Sequence, residues 1–372
     1  MLFDINPKEY KKDLYNREYE LNEIFDALKL NERLIVIYGI RRVGKSSILR
    51  VALKEAKLPH AIVDVKGLYF EHGSIAREML YRSIVGFFLK NMSFFEKIGF
   101  KVKDFLSRIK GIHITEIGVE VEPTLATRMS FTEFLSKIDD WCGKHKKRFV
   151  LAFDEAQYLR FGGGVKYDGI IAWSVDNLPN ITIIVTGSEV GLLRDFLKVD
   201  NPKAPLFGRY RREILVKRFS REQSIDFLKK GFSELKTSIK NSELEDTVNT
   251  FDGIVGWLTY YGYYRAVRKL SHGKAINNLF EEGSKLVLSE LEKIITPSRK
   301  RYTVILKAVA QGISTWSDIK AYTVIKTGPI SDKRFSNLLK NLVKYGYLTK
   351  ENNKYKIPDP VVKHACLTLK QQ

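Results

Sequence analysis

The chain has 372 residues, 44% of them hydrophobic, and its 63 Lys and Arg against 43 Asp and Glu leave a formal charge of +20. The length exceeds one ordinary core and allows two or three domains, and the charge calls for a polyanionic partner such as nucleic acid. No apolar run is long enough to span a bilayer, the start Met1-Leu2-Phe3-Asp4-Ile5-Asn6-Pro7-Lys8 lacks the apolar stretch of a signal peptide, and Cys142 and Cys366 have no partners at zinc spacing, so a cytoplasmic protein with no membrane segment is expected.

Arg33-Leu34-Ile35-Val36-Ile37-Tyr38 reads as a buried strand, and Gly39-Ile40-Arg41-Arg42-Val43-Gly44-Lys45-Ser46 directly behind it fits G-x-x-x-x-G-K-[ST]. The helical stripe Ile48, Leu49, Ala52 and Leu53 follows, so strand, loop and helix come in the order a phosphate-binding loop requires. The glycines let successive N–H groups turn inward onto phosphate oxygens, and the helix adds the positive end of its dipole. Lys45 is expected to reach the β- and γ-phosphates and Ser46 to hold Mg²⁺, with Ser47 in the first helical turn counted among the nucleotide-binding residues.

Short apolar runs then recur at His60 to Val65, Phe149 to Phe153, Ile181 to Thr186 and near Glu213 to Val216, separated by helical pattern, as strands of a parallel α/β sheet covered on both faces. The stretch from Leu68 to Thr127 is an insertion in which Gly111 to Val121 alternates like a hairpin. The strand Phe149-Val150-Leu151-Ala152-Phe153 ends in Asp154-Glu155, which assigns Asp154 to the Mg²⁺ shell and Glu155 to polarising the water that attacks the γ-phosphate. Ile181 to Val185 ends in Thr186-Gly187-Ser188. Thr186 is placed to sense the γ-phosphate or the attacking water, whereas Ser188 serves equally as a sensor or as a cap for the following helix. No Asn-Lys-x-Asp occurs, which removes the usual guanine-reading element and favours ATP and ADP.

From Ser220 to about Leu288 the periodicity is helical, opened by the capping pattern Ser220-Arg221-Glu222-Gln223. Residues 291–372 hold 16 Lys and Arg against 5 Asp and Glu. They read as a winged helix: helices at Tyr302 to Ala310, Ser317 to Tyr322 and Ser331 to Lys344, then a hairpin through Asn352-Asn353. In the third helix Phe335, Leu338, Leu339 and Leu342 form one stripe, and Lys333, Ser336, Asn337, Lys340 and Lys344 the opposite one. Lys333, Arg334, Asn337, Lys340 and Lys344 are the candidate contacts to duplex DNA. Winged helices also dock proteins or their own ATPase module, and that alternative stays open.

The chain resembles archaeal ATPases of the STAND and AAA+ class, relatives of the Orc/Cdc6 initiators. The resemblance rests on Tyr15-Asn16-Arg17-Glu18-Tyr19-Glu20-Leu21, the Gly39 to Ser46 loop, Asp154-Glu155, Thr186 to Leu193, Pro205-Leu206-Phe207-Gly208-Arg209 and the lid-like Phe251 to Leu258, where Val255 replaces a proline. It implies that Asn16 and Arg17 lie beside the adenine. It also implies that Arg209 contacts the γ-phosphate or a neighbouring subunit, a role that an ordinary surface charge would equally explain. The expected fold is a P-loop ATPase domain over residues 1–218, a helical lid over 219–290 and a winged helix over 291–372. The expected function is slow Mg²⁺-dependent ATP hydrolysis driving a conformational switch on duplex DNA, with a STAND-type signalling or defence switch, a homo-oligomer or a protein partner as the alternatives.

Overall fold

The computed structural model describes residues 1–107, 112–114, 119–121 and 129–369. Its strands are β1 (Leu34–Tyr38), β2 (His60–Asp64), β3 (Ile112–Ile114), β4 (Val119–Val121), β5 (Phe149–Asp154), β6 (Ile181–Gly187), β7 (Arg212–Leu215), β8 (Thr349–Glu351) and β9 (Lys354–Lys356). Five of them form one sheet in the order β2-β5-β6-β1-β7, parallel throughout. The central strands β1, β5 and β6 are largely apolar because both faces are covered, whereas Glu213 and Leu215 of the edge strand β7 are exposed. Leu34 and Val36 of β1 join Phe149, Leu151 and Phe153 of β5 in one buried cluster, while Ile35 and Ile37 join Val150 and Ala152 in the other. The helices Glu18–Lys29 and Lys45–Ala56 cover the second face.

β2 stops one residue short of the sequence expectation because the Asp64 carboxylate accepts the Gly67 N–H at 2.9 Å and caps the helix Val65–His72. That helix opens the insertion, which continues through Arg77–Lys90, Met92–Lys97 and Val102–Ser107 to the antiparallel pair β3 and β4. The expected hairpin is therefore present at Ile112–Ile114 and Val119–Val121. The rest of 108–128 lies outside the described residues.

After β7 come the helices Arg221–Glu234, with the Ser220 capping box in place, Asn241–Phe251, Val255–Gly262 and the long His272–Ile295. The winged helix follows as Arg299–Ala310, Trp316–Thr327 and Asp332–Lys344, then β8 and β9. Its second helix runs five residues beyond the expected Tyr322. The β-branched run Thr323-Val324-Ile325 hides it from a propensity reading, but the Thr323 and Thr327 hydroxyls donate back to the carbonyls of Ile319 and Thr323. Asn352 and Asn353 both take positive φ, 47° and 61°, as the two-residue turn of a right-twisted hairpin demands. A last helix, Pro360–Thr368, was not anticipated, although Asp359 caps it and proline opens it. The helices between Arg221 and Ile295 share one buried cluster with the winged helix, and this cluster also takes in Phe3.

Candidate active site at the carboxyl edge of the sheet

The strand order puts β6 between β1, which carries the glycine loop, and β5, which ends in the acids. The loop is built by three backbone demands. Arg42 and Gly44 adopt positive φ, 63° and 98°, curling the chain into an anion-binding nest. At Gly39 a Cβ would sit 2.3 Å from the Val216 carbonyl oxygen, so only glycine lets the loop start there. From outside, Arg17 donates to the carbonyls of Val43 at 3.0 Å and Lys217 at 2.9 Å while paired with Glu20 at 3.0 Å. Asn16 in turn accepts the Arg17 N–H at 2.9 Å. Arg17 thus braces the loop.

The Lys45 ammonium donates to the carbonyls of Gly39 at 3.0 Å and Ile40 at 2.8 Å, which leaves the last of its three N–H bonds for a phosphate oxygen. Burial lowers its pKa, against the pull of Glu155 and Asp154. Across the edge, Thr186 on the middle strand ties the acids in place: its hydroxyl donates to Asp154 and accepts the Glu155 N–H at 3.0 Å. Burial, reinforced by neighbouring Glu155, raises the Asp154 carboxyl above the ordinary range even though Thr186 and Ser46 hydrogen-bond to it. Ser46 and Asp154 are two adjoining hard oxygen donors, a set that fits Mg²⁺.

Glu155 adopts φ 57°, which turns its side chain back toward the Lys45 side. Its Oε2 accepts from the Ser188 N–H at 3.1 Å, the Ser188 hydroxyl at 2.7 Å and the Gln157 amide at 2.6 Å. Burial pushes this carboxyl up, but Lys45, Ser188 and Gln157 together bring it below the usual 4.5. It is therefore ionised at neutral pH. Ser188 is not a helix cap: Glu189 occupies the N-cap of Val190–Leu197 without a side-chain cap, and the Ser188 hydroxyl serves Glu155.

Beside the loop lies a cavity of about 300 Å³ lined by Asn6, Tyr15, Arg17, Gly44, Ser47 and Phe219 together with Val255 and Tyr260 of the helix Val255–Gly262. The Ser47 hydroxyl accepts the Lys8 N–H at 3.0 Å, which pins the first residues of the chain against the loop. The helix Val255–Gly262 meets the loop directly. Gly256 N–H donates to the Arg42 carbonyl at 2.9 Å, and the Arg42 guanidinium stacks 4.2 Å above the Trp257 ring. A roomier groove of about 690 Å³ lies near Arg194 and Lys344, but no phosphate loop borders it.

Three further side chains, Glu290, Tyr347 and Lys66, reach this site around Arg41 of the loop. Arg41 pairs with Glu189 and, at 3.5 Å, with Glu290 of the long helix, and lies 4.6 Å from the centre of the Tyr347 ring in the winged helix. Lys66 holds the other oxygen of Glu290 at 2.7 Å. Only Lys66 could have been suspected, since it stands just past the carboxyl end of a strand.

Two sets of expected residues lie away from the loop. Arg209 forks onto Asp176, its Nε at 2.9 Å, and also donates to the Pro205 carbonyl, so among the described residues its hydrogen bonds go to these surface groups. Lys333, Arg334, Asn337 and Lys340 are exposed on the winged helix, opposite the buried Phe335, Leu338, Leu339 and Leu342. Lys344 faces the ATPase module and pairs with Asp195.

The family described as an ATPase domain predominantly from Archaea matches residues 14–260, and the MCM protein C-terminal winged helix-turn-helix domain matches residues 296–358. Among solved structures, a Walker-type ATPase of Pyrococcus abyssi is 36% identical, over 98% of this chain and 99% of its own, with a TM-score of 0.85. The ORC2 protein of Aeropyrum pernix, solved as ADPNP–ADP complexes, is 13% identical over 98% and 97%, with a TM-score of 0.61, a likeness of fold alone. No curated protein sequence matches this chain.

Proposed function

The chain belongs to the family of ATPase domains found predominantly in Archaea and is an ATPase, and from that premise we propose that it is a Mg²⁺-dependent switch whose output is duplex DNA binding by the winged helix. In this reading the loop 39–47 cradles the triphosphate and Lys45 spans its β- and γ-phosphates. The base lies in the cavity between Tyr15, Phe219 and the lid. Ser46 and Asp154 would hold Mg²⁺, which when bound offsets the charge on the β- and γ-oxygens.

Hydrolysis is in-line attack by water. As the new P–O bond forms and the bond to the β–γ bridging oxygen breaks, Glu155 takes the water proton and ADP leaves with inorganic phosphate. Among the described residues the hydrogen bonds to the Glu155 carboxylate fall on Oε2, so Oε1 is the oxygen left to orient the water. Thr186 fixes both acids and is a positioning residue in this scheme. Arg209, bound to Asp176 on the surface, is better suited to a contact between subunits than to its own γ-phosphate.

The observation that carries the DNA reading is one helix with two ends in different places. Asp332–Lys344 presents Lys333, Arg334, Asn337 and Lys340 to solvent, while Lys344 at its end pairs with Asp195 of the ATPase module. Replacing Lys333, Arg334 and Lys340 together by alanine should weaken duplex binding at every salt concentration and leave ATP binding intact. A second reading, a STAND-type signalling switch, draws on the same docked end, where Arg160 also donates to the Tyr345 hydroxyl at 3.0 Å. If no duplex binding occurs at low salt, the second reading stands and the first falls.

A further inference from the structure

The phosphate loop carries two adjacent arginines, and they point in opposite directions. Arg42 lines the cavity and stacks on Trp257 of the lid. Arg41 turns to the hydrolysis side, within the electrostatic reach of Lys45 and Glu155. There it meets three elements that converge from far along the chain. Glu189 follows β6 and also receives the Tyr158 hydroxyl at 3.3 Å and the Gln157 amide at 3.4 Å. Glu290 comes from the helix His272–Ile295. Tyr347 comes from the winged helix, three residues past the helix Asp332–Lys344, and its ring is 1% exposed.

The Tyr347 hydroxyl is buried and among the described residues has no hydrogen-bond partner, and the Arg41 guanidinium over the ring is the charged contact that holds this side chain in its seat. The seat is close on both sides. A Cβ on Gly191 would lie 2.7 Å from the Lys344 Cα, and one on Gly346 would lie 3.6 Å from the Ser188 carbonyl oxygen. The residues that hold Glu155, Ser188 above all, thus lie directly beneath the turn that ends the exposed Lys and Asn stripe.

The Nε–Nη2 edge of Arg41 faces Glu290 and Glu189, and a guanidinium that turns this edge to a phosphate cannot keep it on those carboxylates. A γ-phosphate on the loop carries more charge than either carboxylate and takes the same bidentate fork. We infer that Arg41 is a positioning residue that trades the winged-helix seat for the γ-phosphate, so that ATP, and not ADP, loosens Tyr347 and the end of the helix Asp332–Lys344. This rests on the reading of the loop as an ATP site. When Arg41 turns, Tyr347 loses its cation, and Glu189 and Glu290 lose a shared one. Lys66 keeps Glu290 satisfied at 2.7 Å, so the exchange does not strand a bare carboxylate there.

The test is amide hydrogen exchange of residues 345–348 in the full chain with Mg²⁺ and either a non-hydrolysable ATP analogue or ADP, with binding of each nucleotide measured on the same sample. The analogue is expected to raise exchange about tenfold over ADP, the loss of one partly buried cation–π contact with its ion pairs. With each nucleotide at saturating concentration, Arg41→Ala should abolish the difference, and Arg41→Lys, which keeps the charge and loses the fork, should restore part of it. Because Arg41→Ala also strands Glu189, Gly191→Ala is a second variant: it wedges the Lys344 backbone and should raise exchange without nucleotide. Equal exchange with bound analogue and bound ADP in the natural chain overturns the inference. So does a surviving difference in Arg41→Ala, or unchanged exchange in Gly191→Ala. Failure to bind either nucleotide instead overturns the ATP-site reading, and this inference with it.

Discussion

Glu155 is held on one oxygen by three donors and ionised well below neutral pH, the condition a general base needs before it can take a proton. Glu155→Gln keeps the shape and removes the base. It should retain ATP binding and lose roughly 10² to 10⁴ in turnover, checked by phosphate release against equilibrium nucleotide binding. His60 gives an independent check on the fold around it. Packed near Phe87, Phe94 and Phe95, with Nδ1 2.8 Å from the Leu58 carbonyl, it is pushed by burial from 6.5 down to about 4. The folded state then binds fewer protons than the unfolded one between those values, so stability is full above 6.5 and drains as pH falls toward 4, by up to roughly 3 kcal/mol. Denaturant midpoints at pH 7 and pH 4.5 should differ by less in His60→Gln than in the natural chain. At this scale Lys45, Ser46, Asp154, Glu155 and Thr186 were legible, because a phosphate site fixes residue type and spacing locally. Arg41 was legible as part of the loop but not in its direction, since Glu290 and Tyr347 lie some 250 and 300 residues further along the chain.

The elements meet the site through a few close approaches. Phe3 shows one. A Cβ on Gly231 or on Gly262 would fall within 2.4 Å of its ring, and Phe227 and Phe232 lie 5.7 and 5.1 Å away edge-on. The two lid helices leave a socket for this ring, and the segment behind it runs past Asn6 to Lys8, whose N–H reaches Ser47. Phe3→Ala should cost about 3 to 5 kcal/mol by cavity formation and weaken ATP binding more than it slows turnover, which thermal unfolding and a KM-against-kcat comparison would separate. The central strands β1, β5 and β6 are readable to within a residue because burial on both faces leaves little but apolar side chains. The helix Trp316–Thr327 was cut short in the sequence reading because its threonines repay their poor propensity through back-bonds that exist only once the helix forms. The glycine at 191, a residue without a side chain, announced nothing about the backbone it admits.

Across the whole molecule, the helices between Arg221 and Ile295 and the winged helix share one core, and that unit touches the ATPase module at Arg42 with Trp257, at Arg41 with Tyr347 and at Asp195 with Lys344. A charge of +20 favours a polyanion, and the exposed helix stripe gives that charge a place to act. Each lysine or arginine that neutralises a phosphate adds about 0.9 to the dependence of log affinity on log salt, so removing Lys333, Arg334 and Lys340 should lower that slope by nearly 3. A salt titration of duplex binding reads this directly, and an unchanged slope would move the DNA surface elsewhere. The central claim is that the hydrolysis site and the winged helix form one device. It is tested most directly by the ATP hydrolysis rate of the natural chain and of Lys45→Ala, each with and without duplex DNA at low salt. The account predicts a several-fold change in the natural chain on adding DNA, and background turnover in Lys45→Ala under both conditions. Bound DNA that leaves the natural chain's rate unaltered would contradict it.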